Sequence, residues 1–199
     1  MATQVNGYQK LLVPQYDTYE HWKNYCLTHG INVDFFTIVL GYGNQCWDVP
    51  ALLWYQYGLK LETGNGYAYG CYALKRNQNA KFPFSIVGDV NASAMSNKTK
   101  IKKGDCLVFA PSGLNYTGHI CFADEDYNGT DSIRCLGQNQ GQGTGWGIPS
   151  NIVNNNLRVF LGGFRNHNWQ RPEPAPTPST KRGNFPFVLY AKKFRNPNL

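Results

Sequence analysis

Gly41-Tyr42-Gly43-Asn44-Gln45-Cys46-Trp47-Asp48 is the stretch around which this chain is organised. Two glycines and an asparagine permit a tight approach, and a single cysteine stands where an apolar helical run, Val49 to Tyr57, begins. The first turn of a helix has backbone N–H groups without intrahelical partners and carries the positive end of the macrodipole; both favour a thiolate. Cys46 is thus placed as a nucleophile, and the rest of the chain is read for a base, a group to orient that base, and a groove. Pro50 complicates the helix start, because it has no N–H to give the Cys46 carbonyl and its ring crowds that carbonyl. Either the first turn is irregular, or the regular helix starts nearer Asp48 and Cys46 sits in the turn just before it. Both arrangements keep the sulfur beside unpaired N–H groups. Asp48 reads as favourable charge at the helix start, and Gly58 as the helix end.

A chain of 199 residues can bury one good core. A hydrophobic fraction of 42% with 15% aromatic residues marks a folded protein, and 21 glycines with 16% charged residues favour strands and turns over a helical bundle. No apolar run reaches the roughly 18 residues of a membrane span. Residues 1–15 lack a basic patch followed by an apolar stretch, so no ordinary secretory signal is expected there. The six cysteines (Cys26, Cys46, Cys71, Cys106, Cys121, Cys135) include no C-x-x-C spacing, so neither a disulfide framework nor a zinc site is expected. All but Cys46 read as small buried hydrophobes.

Outward from Cys46, residues 16–29 predict a helix capped by Asp17 or Thr18, with Tyr19, Trp22 and Cys26 on one face. His21 and His29 lie off that stripe and read as surface residues. Residues 63–80 begin as a Gly- and Tyr-rich loop. Strands are expected within 82–90, at Cys106 to Ala110, at Gly118 to Ala123, at Ser132 to Asn139 and near Leu157 to Leu161, with a hairpin turn at Asn128-Gly129. The acidic tip (Asp124, Glu125, Asp126, Asp131) reads as a solvated turn. The expected organisation is a catalytic body over 1–168, a proline-rich linker over 169–180 and a basic aromatic tail over 181–199. Of the net charge of +7, most lies late in the chain: residues 169–199 hold six of the 19 basic residues and one of the 12 acids. Such a tail suits a polyanion.

Four histidines are available as a base for Cys46. His167 falls in an Asn-rich turn and reads as surface, whereas His119 follows a glycine on the best-supported strand. Cysteine first and histidine far downstream is a common order in thiol hydrolases. A two-residue turn at Asn128-Gly129 sets Gln138 opposite His119, and a three-residue loop sets Asn139 there. Either amide accepts the ring N–H and fixes the tautomer.

Four motifs therefore occur in order: Gly-x-Gln-Cys-x-Asp (Gly43 to Asp48), Gly-Asp before an apolar strand (Gly104 to Phe109), Gly-His-Ile (Gly118 to Ile120), and Gln138-Asn139 before a loop with Trp146. In this the chain resembles the CHAP family of cysteine, histidine-dependent amidohydrolases/peptidases, over roughly residues 16–168. The resemblance implies an α+β, papain-like fold, with N-terminal helices packed on an antiparallel β-sheet. It implies Cys46 as nucleophile, His119 as base, Asn139 as the group orienting His119, and Gln45 beside the Cys46 N–H as an oxyanion donor. Two departures from the family pattern stand out. Gly137 occupies the place where many relatives carry an acidic residue, so the triad has no carboxylate. Phe36 to Gln45 lacks the carboxylates through which some relatives bind calcium, so no metal or cofactor is expected. Tyr67, Tyr69, Tyr116 and Trp146 either line a substrate groove or pack as ordinary loop aromatics.

Family members, many of them phage lysins, cleave amide bonds in peptidoglycan. The expected function is therefore a cell-wall endopeptidase or N-acetylmuramoyl-L-alanine amidase, released from the host cytoplasm at lysis or carried in a virion tail. A catalytically silent virion structural or wall-binding protein on the same fold is the alternative, and a thiol protease or acyltransferase acting on proteins is a third reading. Expected partners are peptidoglycan and, through the basic tail, teichoic acid or a virion protein.

Overall fold

Two strands, Cys106–Phe109 and His119–Ala123, pair antiparallel at the middle of the molecule, and the other elements are laid against them. The structure, a computed structural model, describes residues 17–29, 45–59, 61–62, 67–73, 84–88, 97–113, 115–141 and 150–170. Its helices are α1 (Tyr19–His29), α2 (Asp48–Gln56) and α3 (Gly70–Ala73). Its strands are β1 (Phe84–Val87), β2 (Cys106–Phe109), β3 (His119–Ala123), β4 (Ser132–Gly137), β5 (Asn151–Asn156) and β6 (Phe160–Asn166). The strands form one antiparallel six-stranded sheet in the order β1-β6-β2-β3-β4-β5, so the fold is α+β. No described helix is long and apolar enough to cross a membrane.

Successive side chains of a strand point to opposite faces, and β2 and β3 are buried on both. Val108, Ile120, Phe122 and Leu136 share one cluster with Trp22, Leu52, Leu53 and Trp54 of the helices. Leu107, Phe109, Cys121, Ala123 and Cys135 meet Leu157 and Phe160 in a second cluster on the far face. The five cysteines other than Cys46 are free and buried, as small apolar residues would be.

Of the two cap candidates for α1, Thr18 does the work: its hydroxyl accepts the His21 N–H at 3.2 Å. The acidic tip differs from expectation. Asp124 is buried, not solvated, and accepts from Lys23 at 2.6 Å, Arg134 at 3.0 Å and the Tyr19 hydroxyl at 3.1 Å, which ties α1 to the sheet. α2 ends at Gly58, whose φ of 71° lets the Leu59 N–H reach back to the Trp54 carbonyl at 3.0 Å. Trp54 stacks on Phe84 with ring centroids 3.7 Å apart and meets Phe164 edge-on at 5.5 Å, which fixes α2 over the sheet.

Other expectations need correction. Residues 157–159 form a 3-10 turn, and the last strand begins only at Phe160. β5 was hidden from sequence reading by its run of asparagines, poor strand formers on their own; it is held by pairing along all six residues of β4. The β3–β4 connection spans residues 124–131 instead of a two-residue turn, because Asn128 closes a local turn by accepting the Thr130 N–H at 3.1 Å and hydroxyl at 2.7 Å. The pairing that results, Phe122 with Leu136 and Ala123 with Cys135, is the one that points Asn139 toward His119's level. Trp169 packs against Tyr19 and Phe122 at 5.7 and 5.6 Å, so the body reaches that residue. Residues 171–199, with the remainder of the expected linker and the tail, lie outside the described residues, as do Gly41 to Asn44 and Trp146.

Trp54→Ala removes the ring that seats α2, and a fully buried Trp truncation costs about 3–5 kcal/mol. The urea midpoint is expected to fall accordingly with an unchanged slope.

Candidate active site

Cys46 sits in the turn immediately before α2. Gln45 and Asp48 close that turn reciprocally: the Asp48 N–H donates to the Gln45 carbonyl at 3.2 Å, and the Asp48 carboxylate accepts the Gln45 N–H at 2.9 Å. The first bond of full helical span runs from the Ala51 N–H to the Trp47 carbonyl at 3.0 Å. The preceding one would need a proton on Pro50. Of the two arrangements open to the sequence, the second is therefore adopted.

The Cys46 sulfur packs on the helix-side cluster. Burial pushes its thiol up to about 11; the N–H groups of Ile120, Cys46 and Trp47 oppose this, and the neighbouring Asp48 charge adds to it. The expectation of an acidified thiol is thus overturned. The helix-start N–H groups are present as foreseen, and desolvation outweighs them.

His119 opens β3 opposite Phe109, with the two rings 6.3 Å apart, so its imidazole leaves the strand on the far face. Its Nε2 lies 2.9 Å from Oε1 of Gln140. The Gln140 amide nitrogen donates to the carbonyls of Cys135 at 3.0 Å and Asn151 at 3.1 Å, which uses both its protons. Gln140 Oε1 must then accept, His119 Nε2 must carry the ring proton, and Nδ1 keeps its lone pair. Burial holds the His119 pKa below the ordinary 6.5, partly opposed by the Gln140 bond. At rest the site holds a neutral thiol and a neutral imidazole, with no hydrogen bond joining them.

The residue on the histidine ring is Gln140, neither Gln138 nor Asn139. β4 stops at Gly137, and Asn139 adopts a left-handed φ of 50°, which turns the chain. Asn139 then donates to the Gln45 side-chain oxygen at 3.3 Å, and Gln138 to the Gln45 carbonyl at 3.2 Å. Gln140 returns beneath His119. A Cβ on Gly137 would lie 2.8 Å from Gln140 Oε1 and 2.9 Å from Cys121 Cβ, so the glycine makes the room that Gln140 fills. That missing side chain was the signal in the sequence, legible only with the turn in view.

Tyr67 stacks on Tyr69 at 6.0 Å and Tyr116 meets Tyr67 edge-on at 6.2 Å; Tyr67 and Tyr116 are 39% and 65% exposed. Among the described residues, no group of three or more His, Cys, Asp or Glu could hold a metal ion.

No protein-family description matches the chain, and no curated protein does. Among solved structures, a wild-type endolysin is similar in fold. That protein, LysIME-EF1, aligns with a TM-score of 0.53 at 20% identity, over 74% of this chain and 63% of its own. The chain therefore spans less than two thirds of that endolysin.

A thiol held near 11 alkylates slowly at neutral pH. Iodoacetamide labelling of Cys46, followed by peptide mass spectrometry, is expected to accelerate about tenfold per pH unit up to that value. A rate already at its plateau at pH 7 would show an acidic thiol instead.

Proposed function

We propose that this chain is a CHAP-type, papain-like peptidoglycan hydrolase, cutting an amide bond of the bacterial wall with Cys46 as nucleophile and His119 as base. The observation that carries the reading is a sulfur at the start of α2, beside the backbone of Ile120, one residue from a buried histidine whose Nδ1 is unprotonated. The fold likeness to an endolysin is in keeping with it.

The chemistry follows from the neutral resting pair. Hydrogen bonds between catalytic groups are often long or absent without substrate and tighten when it binds. With the ring brought to the thiol, Nδ1 takes the proton as sulfur attacks the carbonyl carbon. The carbonyl electrons move to oxygen, where the Cys46 N–H and the Gln45 carboxamide stabilise the charge. Collapse breaks the C–N bond, and the amine leaves with the proton from Nδ1. Water, deprotonated by His119, then cleaves the thioester and returns the thiol. Gln140 orients the base in this scheme, and Asn139 orients Gln45.

The unbonded thiol and imidazole favour a second reading, a catalytically silent wall-binding or virion protein on the same fold. Zymography against Gram-positive walls separates the two. Wild type is expected to clear, while Cys46→Ala and His119→Ala lose on the order of 10³-fold or more. Equal clearing by Cys46→Ala would end the cysteine mechanism, and wall binding without clearing by wild type would favour the silent protein. A basic tail tethered to teichoic acid is proposed on charge alone.

The pH profile has a defined sign. His119 must be unprotonated to act, and its pKa lies below 6.5, so activity is retained below that pH and lost as pH falls through the lowered value. An acid limb centred above 6.5 in turbidity-reduction assays would contradict this.

A further inference from the structure

β5 ends the sheet: it pairs with β4 along its whole length, and among the described residues no strand lies on its other side. An antiparallel ladder alternates, so every second residue of an edge strand turns its N–H and C=O outward. The Leu157 N–H fixes the phase, because it donates to the Asp131 carbonyl at 2.9 Å directly after the Ser132–Asn156 pair. Asn155, Val153 and Asn151 are therefore the residues bonded to β4. Ile152 and Asn154 offer their backbone groups to whatever lies beyond.

Folded proteins protect such an edge with a charge, a proline or a bulge, or keep it short. β5 uses none of these: it reads Asn-Ile-Val-Asn-Asn-Asn over six residues, and its register with β4 is unbroken. β1, at the opposite edge, has only four residues.

The chain carries a segment of matching chemistry. Phe185-Pro186-Phe187-Val188-Leu189-Tyr190-Ala191 is an apolar run inside the basic tail, with Lys181 and Arg182 before it and Lys192 and Lys193 after it. Phe, Val, Leu and Tyr in succession suit a strand, and a lone strand is not stable in water. Main-chain bonding to an open sheet edge satisfies such a segment.

Direction and reach select β5. Neighbouring strands of the sheet are all antiparallel, so β5 and β6 run the same way. The chain thus leaves β6 at the end of the sheet where β5 also finishes. A segment entering there lies antiparallel to β5 with no return crossover, whereas antiparallel pairing on β1 first needs a run back along the sheet. The sideways path from β6 to a place beyond β5 is five strand spacings, about 24 Å. Residues 171–184 cover about 43 Å at the rise of a polyproline helix.

We infer that Phe187 to Ala191 adds to the sheet as a seventh strand, antiparallel to β5 and bonded to the backbone of Ile152 and Asn154. The inference is independent of the hydrolase reading. It sets Lys192, Lys193 and Arg195 just past the Asn151 end of β5.

Amide hydrogen exchange of the full chain, resolved by residue with NMR, tests it. In wild type the Ile152 and Asn154 N–H groups are expected to exchange about tenfold or more below their unstructured rate, whatever the protein concentration. With Val188→Pro and Leu189→Pro together, both return to that rate, while Val153 and Asn155 keep their protection. Adjacent strand residues point opposite ways, so one of the two prolines removes an inward N–H in any register. Loss at Val153 and Asn155 would reveal an unfolded body, and Asn154→Pro then decides. That change removes an outward donor from an edge strand, and Ile152 is expected to lose its protection. Free exchange of Ile152 and Asn154 in wild type, or protection that survives the substitutions, would overturn the inference. Protection that fades on dilution, with a dimer in sedimentation, would overturn it in favour of a second copy on this edge.

Discussion

Because a strand turns consecutive side chains to opposite faces, Ile120 and His119 cannot both look at α2. Ile120 is committed to the helix-side cluster, so His119 goes to the Phe109 side. The thiol arrives from α2 and stops at the Ile120 N–H. The site is consequently built as two halves across the first residues of β3. One holds Cys46, Gln45 and Asp48, and the other holds His119 and Gln140. Residues 138–140 straddle the end of the sheet and hold both: the first two bind Gln45, the third binds His119. A displacement of this short segment acts on the Cys46 half and the His119 half together.

Burial sets the resting protonation. Burial raises the Cys46 thiol to about 11 and lowers the His119 imidazole below its ordinary 6.5, and both shifts disfavour a thiolate–imidazolium pair at rest. The helix-start N–H groups are too few to reverse a desolvation of that size. On the proposed reading, the proton therefore moves during attack and not before it, and bound substrate must draw the ring toward the sulfur. A thiol held neutral is also a poor target for oxidants, which attack the thiolate.

How far the sequence disclosed this depended on the range of each interaction. Helix starts and the apolar runs of β2 and β3 are local patterns, and they were legible. So was the difficulty at Pro50. β5 was not, since its asparagines become a strand only by pairing with β4. The partner of His119 was not, since it depends on a left-handed Asn139 and an empty Cβ position at Gly137. The acidity of Cys46 failed for the same reason: N–H groups can be counted along a chain, but the burial that outweighs them comes from packing against residues distant in sequence. Asp124 looked solvated because Lys23, about a hundred residues away, cannot be seen beside it.

Gly137 and Gln140 are best understood as one choice. A carboxylate-bearing side chain at position 137 would bring its Cβ within 3 Å of Gln140 Oε1, so the two cannot coexist in this arrangement. The alternatives differ electrostatically as well as sterically. A carboxylate near the ring favours the imidazolium and raises its pKa, whereas an amide oxygen fixes the tautomer with far less effect on charge. Gln140 is itself held by two backbone carbonyls and by Asn155, whose amide donates to Oε1 at 3.2 Å. Orientation is thereby kept while the negative charge is given up. With Gly137 and Gln140 in place, the His119 ring is held through Nε2 by an amide, and burial keeps its pKa below the ordinary 6.5.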